Sequence, residues 1–521
     1  MKSARYQKPA TQFVFMPLLK PLVLAMTLGL AACLSPSADN ATTSSSSAGS
    51  RTAESGVKDP GATPRGECGP GSLPETGLQG RVSQADHDSG KAAQGFTCNT
   101  QLVGSYVVKG AIGTVGGFKV ERYRDKSGRD CAYYDSTLIY PSNILDREQG
   151  VSVFDMSNPA KPVKTASLVT PAMLSPHESV VVSQEGGILA AVLGNPAFGP
   201  GIVDIYDISQ DCRNPVLKSS TPLGIFGHES GLSPDGKTFY SNAPGNGTIV
   251  ALDISDPSVP KPLGVYNFNS HGLSLSNDGK RAYVADIGNT GVGAGGQRFA
   301  APEGLRDTNP AGVTILDVSE IQERKPNPQV KVVSRVTWDT VTIPQNAIPF
   351  TRNGKSYLME IDEYSAASAG GGVTAHGLIV GAGRIIDITD ETKPRVVSNL
   401  RLQVHEQKNR AAIANDPGAA NPTGGYAGHY CNIPSRVNPT IVACSMILSG
   451  LRIFDISDPE NPVEVAYFNS PVQPRIVTVP APASNWAMSS PTFVPERKEI
   501  WYTDAFSGFY VVKVTNGVWK D

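Results

Sequence analysis

Charge is scarce in this chain of 521 residues. Asp, Glu, Lys and Arg together make up 18%, aromatic residues 7%, and histidine occurs only seven times. No basic cluster interleaves with aromatic residues, which argues against a nucleic-acid partner, and no sustained heptad pattern supports a coiled coil. Zinc-finger spacings are missing, as is any CxxC pair. No GxSxG sequence marks the nucleophile elbow of a serine hydrolase. The glycine-rich GVGAGGQ at 291–297 has no strand-to-helix context that would make it a phosphate loop, and GGG at 370–372 reads as a loop. The longest apolar stretch, PLVLAMTLGLAA at 21–32, is too short to span a bilayer.

What the chain has instead is turn chemistry, with 53 glycines and 41 prolines, and one phrase that recurs. It reads GVSVFDMSNPAKPV at 150–163, GIVDIYDIS at 201–209, GTIVALDISDP at 247–257 and GVTILDVS at 312–319. It returns as GRIIDITD at 383–390 and GLRIFDISDPENPV at 450–463. Each copy is a glycine, an apolar run, an Asp and a turn. No copy can bury a core alone, so the phrase marks one strand position of a repeated four-stranded unit, and the fold is an all-β propeller.

The unit can be aligned from Gln101 onward as inner strand, tight turn, second strand, loop, phrase strand, DP-type turn and outer strand. Unit three shows it as HESGLS (228–233), PDGK, TFYSN (238–242), TIVALDIS (248–255), DPSVPK and PLGVYNF (262–268). Seven units fit. Their phrase strands end near Asp155, Asp207, Asp253, Asp317, Asp387 and Asp455, and the seventh is GFYVVKV (508–514), with Lys513 in place of Asp. The chain stops before a last outer strand, and LVGSYVV (102–108) has no other partner. The expectation is that it supplies that strand and closes a seven-bladed ring.

Residues 1–32 carry Lys2, Arg5, Lys8 and Lys20 ahead of the apolar stretch and end in Leu30-Ala31-Ala32 before Cys33. This resembles a bacterial lipobox, which implies cleavage before Cys33, acylation of that cysteine and a membrane anchor through lipid alone. Leu34 in place of the Asp of inner-membrane retention implies the outer membrane in a Gram-negative cell. Removing 1–32 leaves 41 basic and 47 acidic residues, a net charge of −6, with no general pull towards nucleic acid or anionic lipid. Residues 33–66, rich in Ser, Ala, Thr and Gly, read as a flexible tether with a span on the order of 30 Å. Residues 67–100 read as an irregular lead-in, and 101–521 as the propeller. Six cysteines remain after Cys33. Cys431 and Cys444 fall opposite each other on the first two strands of unit six. Cys131 and Cys212 lie on the short-turn face of adjacent units, which leaves Cys68 for Cys98.

The phrases GLRIFDISDPENPV and GTIVALDISDP look like the LVIVD repeat family of bacterial exported β-propellers. The resemblance covers roughly 101–521 and implies the fold and an exported compartment; it leaves function open, since propellers host binding and catalysis alike.

Strand order assigns the long loops, 287–311, 365–382 and 404–427, to one face, which is therefore the expected working face. Four of the seven histidines, His177, His228, His271 and His429, open inner strands at that face. Asn346 holds the matching position in unit five and Ser489 in unit seven. The side chains should converge at the mouth of the central channel, with Glu178 and Glu229 following two of them and His376 and His405 in the long loops. Convergent imidazoles suit a transition-metal ion; equally, they can bridge blades by hydrogen bonds. The phrase Asp reads as structural, and Glu360, Asp362 and Glu363 of MEIDEY read as a solvated rim. Two functions follow. One is a lipid-anchored binding scaffold for a protein, glycan or small molecule at the long-loop face. The other is a metal-dependent envelope hydrolase or oxidoreductase, with Glu178 or Glu229 moving protons.

Overall fold

The computed structural model describes residues 60–520 apart from 110–113, 137–147, 195–200, 226, 244–246, 289–310, 339–342, 364–381, 420–424 and 475–483. The segment that resembles a lipobox, the expected tether to residue 59, His376 and most of the loops 287–311 and 365–382 lie outside the described residues. Among the described residues no helix is long and apolar enough to cross a membrane.

Seven antiparallel sheets follow one another along the chain. Blade four shows the pattern. Its strands Ser270–Leu275, Arg281–Asp286, Gly312–Asp317 and Lys331–Thr337 pair in sequence order. The recurring phrase is the third strand of every blade, flanked on both edges. It is buried up to its terminal residue, as in the BBBBBi pattern of Gly312–Asp317, which is why it reads as a continuous apolar run instead of an alternating one. Outer strands alternate because only one face is covered, as in Val163–Leu168. In six phrases the terminal Asp accepts from the backbone N–H two residues on, at Ser157, Ser209, Ser255, Ser319, Thr389 and Ser457, over 2.8–3.0 Å. The repeated carboxylate thus folds the turn into the outer strand.

Apolar side chains collect between blades. One buried cluster joins each successive pair, from Tyr133 with Leu189 between blades one and two to Phe154 with Trp501 and Phe509 between blades one and seven. That last cluster shows that the ring closes. So does Thr100–Val107, which pairs antiparallel with Gly508–Val514 as the fourth strand of blade seven. The molecule is a seven-bladed propeller closed by its N-terminal strand. The lead-in is more ordered than its composition suggests: Phe96–Cys98 adds a fifth strand to blade six, beside Val463–Asn469.

All three expected cysteine pairs are bonded, Cys68 to Cys98, Cys131 to Cys212, and Cys431 to Cys444. Cys431 and Cys444 are direct cross-strand partners. Cys131–Cys212 staples blade one to blade two.

Candidate metal centre

The repeat brings His177, His228, His271 and His429 to one place. His228 and His429 precede their inner strands, and their backbone N–H groups donate to the carbonyls of Asn242 and Ser445 at 2.8 and 3.0 Å. These bonds prolong the pairing with the second strand and pin each imidazole at the end of its blade. The ring centroids of His177 and His228 are 4.2 Å apart, and those of His228 and His271 are 4.4 Å apart. Blade one contributes Phe118, whose ring lies 4.9 Å from that of His177 and 5.3 Å from that of His429. Ser489 of blade seven is buried and spends its Oγ on the Thr503 N–H.

Two carboxylates complete the mouth. Glu178 reaches out from blade two. Its Oε2 lies 3.3 Å from His228 Nε2 and 3.7 Å from His271 Nε2, and its Oε1 lies 3.3 Å from His429 Nε2. Glu363, at the end of the second strand of blade five, lies 3.0 Å from His271 Nε2 and 3.4 Å from His429 Nε2. It supplies blade five's share of the site. Asn346, expected in that place, instead donates to Glu229 Oε1 at 3.3 Å. Glu229 also accepts from Lys119 Nζ at 2.8 Å and from Tyr430 at 3.3 Å. A buried cation and two further donors hold it, and burial still raises its pKa.

Two other expectations are corrected. His405 is buried away from the mouth, where its Nδ1 accepts from the Leu402 N–H at 3.0 Å and burial with Arg401, Arg452 and Arg410 pulls its pKa well down. The cause is local: the start of that long loop winds into the short helical turns Gln403–His405, Gln407–Asn409 and Arg410–Ile413, and the lead-in clamps it through Arg81–Asp416 and Tyr426 Oη. Glu360, Asp362 and Glu363 are not a solvated rim, since all three are buried. Glu360 and Asp362 clasp Arg384 at 2.8 Å each, and Glu363 faces the histidines. Their place in an internal strand is the signal that could have found this.

The hydrogen-bond geometry is selective. Nδ1 of His271 faces the Gln345 carbonyl at 3.3 Å, and Nδ1 of His429 faces the Met488 carbonyl. A carbonyl only accepts, so both rings carry a proton on Nδ1. Their Nε2 atoms, together with Oε2 of Glu178 and Oε2 of Glu363, are buried without an aligned hydrogen bond despite the short distances. Ligands about 2.0–2.1 Å from a shared ion sit about 2.9–3.4 Å from one another, and the separations of 3.0, 3.3 and 3.4 Å fall there. Glu178 with His271 and Glu363, and Glu178 with His177 and His228, each place three donor atoms within 4.8 Å of one another.

The electrostatics match a site awaiting a cation. Burial pulls the imidazole of His228 well down, reinforced by His177. Burial also opposes charge on His271 and His429, but Glu363 and Glu178 outweigh it, raising His271 and pushing His429 up to about 9. Burial opposes charge on Glu178 too, yet the surrounding imidazoles hold it well below the usual carboxylate range. Beside the mouth, burial raises Asp135 to about 7 even though it accepts the backbone N–H groups of Phe118 and Lys119.

Fold and mouth together define a class: a closed seven-bladed propeller with a polar, histidine-lined channel opening. The LVIVD repeat model matches residues 243–267 and 448–470, so the chain is a β-propeller that carries LVIVD repeats. No curated protein sequence matches it. Among solved structures it is similar to the periplasmic gluconolactonase of Pseudomonas aeruginosa, with 12% identity, 71% of this chain and 93% of that one covered, and a TM-score of 0.43. It is also similar to hydrazine synthase of Kuenenia stuttgartiensis, with 14% identity, 77% and 95% covered, and a TM-score of 0.42.

Proposed function

We propose that this propeller is a metal-dependent protein of the bacterial cell envelope. Its channel mouth holds a divalent transition-metal ion between Nε2 of His271, Nε2 of His429 and the carboxylates of Glu363 and Glu178. The observation that carries the reading is the pairing on each imidazole: Nδ1–H given to a backbone carbonyl, Nε2 left buried and unaligned. Metal-ligating histidines are held in this way, because the outer hydrogen bond sets the tautomer and aims the lone pair. Two imidazoles and two carboxylates suit zinc, iron or manganese. When bound, such an ion supplies Lewis acidity or an activated water for hydrolytic or redox chemistry. The His228 side chain, 20% exposed, marks the side from which a small polar substrate arrives.

Elemental analysis of the full chain, purified without a histidine tag, tests this. The expected result is at least one equivalent of a first-row transition metal, lost in His429→Ala. Protein that carries none, and takes up neither Zn2+ nor Mn2+ after dialysis, overturns it. A second reading then stands, a metal-free mouth for a small molecule, glycan or protein ligand. It is favoured by the charge balance that His271 and His429 would make as imidazoliums against Glu178 and Glu363.

The three disulfides suit an oxidising compartment. With the lipobox at Leu30–Cys33 they support an exported, lipid-anchored protein of the outer membrane. Cys33→Ser should release the chain from the membrane fraction or block its processing. A mature variant that stays membrane-bound would rule the anchor out.

A further inference from the structure

We infer that the mouth holds a second metal ion, bound by His177 and His228 and joined to the first through the carboxylate of Glu178. The inference rests on the metal reading above and extends it to the other half of the histidine set.

Three observations carry it. The first is that one ion cannot use every donor. Ligands of a single ion at about 2.1 Å lie at most about 4.2 Å apart. Yet the donor atoms here fall into two triads, His177–Glu178–His228 and Glu178–His271–Glu363, that share only Glu178. The two oxygens of Glu178 face different partners. Oε2 lies 3.3 Å from His228 Nε2 and, farther, 3.7 Å from His271 Nε2, while Oε1 lies 3.3 Å from His429 Nε2. A carboxylate disposed in this way spans two ions about 3.5–4 Å apart, the separation of two-metal sites.

The second is backbone strain. His177 and Glu178 are consecutive non-glycine residues with φ of +40° and +74°. Such residues are strained and persist where the surroundings impose them. The local structure shows the imposition. Ser179 Oγ donates to the Pro176 carbonyl and accepts from the Val192 N–H, so a side chain replaces ladder bonds. Gly194 makes room as well, since a Cβ there would stand 2.3 Å from His177 Cβ. The distortion places two adjacent side chains in one site, which an extended strand, alternating its faces, would not do.

The third is a carboxylate oxygen held beside the His228 imidazole. Oε2 of Glu178, 3.3 Å away, is buried without a hydrogen bond.

The test is a Zn2+ titration of the dialysed full chain, followed by calorimetry and by elemental analysis after removal of excess ion. Two equivalents are expected for the native chain and one for the double variant His177→Asn/His228→Asn. One equivalent in the native chain overturns the second ion and leaves the first in place. No uptake by the native chain overturns both. The native stoichiometry decides the matter even where the double variant fails to fold. Replacement by Co2+ gives an independent reading: two bridged ions couple magnetically, so the doubly loaded native chain should lose EPR intensity per cobalt relative to the double variant. Equal intensity per cobalt overturns the bridge.

Discussion

Two buried polar clusters sit in this propeller, and they are built on different rules. Under the lead-in, the fully buried Arg452 gives Nη2 to Glu75 at 2.7 Å, Nη1 to Glu464 at 3.0 Å and Nε to the Ser449 carbonyl at 2.7 Å, and stacks 4.4 Å above Tyr467. Gln79 gives Glu464 a further bond at 2.7 Å and the Gly80 N–H gives one to Glu75 at 2.9 Å. Donors meet acceptors in line. At the channel mouth the distances are similar, but four of the facing polar atoms have no aligned partner. Leaving a buried polar group unpaired costs about 1–3 kcal/mol, so four such atoms facing one another mark a place where an added group would be held. Alignment, more than proximity, separates a clamp from a site.

The largest effect that would break this contrast is in the disulfides that frame the clusters. Cys131–Cys212 closes a separation of 81 residues and Cys431–Cys444 one of 13. By loop-closure entropy their loss should cost about 4–5 and about 3 kcal/mol respectively. Denaturant unfolding of Cys131→Ser/Cys212→Ser against Cys431→Ser/Cys444→Ser measures the order, and a reversal would show that local strand pairing, not blade stapling, dominates. Next comes the clamp. Glu75→Ala leaves Arg452 with Glu464 as its one remaining carboxylate and unpairs Arg452 Nη2 and the Gly80 N–H, so it should destabilise by about 3 kcal/mol, with metal content unchanged. A loss of bound metal in that variant would mean the two clusters are one system.

At the mouth the sign reverses. Glu178→Gly relieves a residue at φ +74°, at the cost of the imidazole contacts that hold its carboxylate charged. It should raise the melting temperature of the metal-free chain while weakening metal uptake by more than tenfold. A destabilised apo variant would count against strain held for function. A smaller effect follows from Asp135. Its folded pKa of about 7 lies above its usual value of 3.8, so between those values the folded state binds more protons than the unfolded one. Stability of the metal-free chain should therefore fall as pH rises from about 4 to 7 and then level off. Thermal melts across pH 4–8 should show a shallower slope for Asp135→Asn. Least of all, Asp253→Ala removes the bonds from the Ser255 N–H and Oγ and an outer contact with Arg324 and should cost about 1 kcal/mol. A much larger cost would make the phrase Asp more than a turn residue.

The fold was legible because repetition amplifies a weak signal. One glycine-apolar-Asp phrase says little, but six in register fix the third strand of every blade, and the unpartnered strand near 102–108 then names its own mate. Cys431 and Cys444 could be paired because a hairpin sets register between adjacent strands. The histidines were legible as a group for the same reason. Glu363 was misread because charge was taken as a sign of exposure, although its strand is internal. His405 was misread because a long loop was taken as a free one; the contacts that bury it come from the lead-in, whose composition carries no periodic pattern. Glu178 was placed as a neighbour of His177. Its reach across the mouth depends on two left-handed residues, and nothing in the letters His-Glu-Ser announces them.

The pairing of Thr100–Val107 with Gly508–Val514 has a consequence for how the chain comes into being. A strand near residue 100 waits for one near residue 510. Until Gly508–Val514 arrives, blade seven lacks its centre, and the edges of blades one and six stand open. A ring of this kind is not assembled blade by blade to completion; its final cooperative step waits for that one strand. The step joins segments about 400 residues apart, so closure should be slow. The same pairing makes Gly508–Val514 the latch of the whole propeller, and deleting that strand should loosen a mouth built from residues hundreds of positions away.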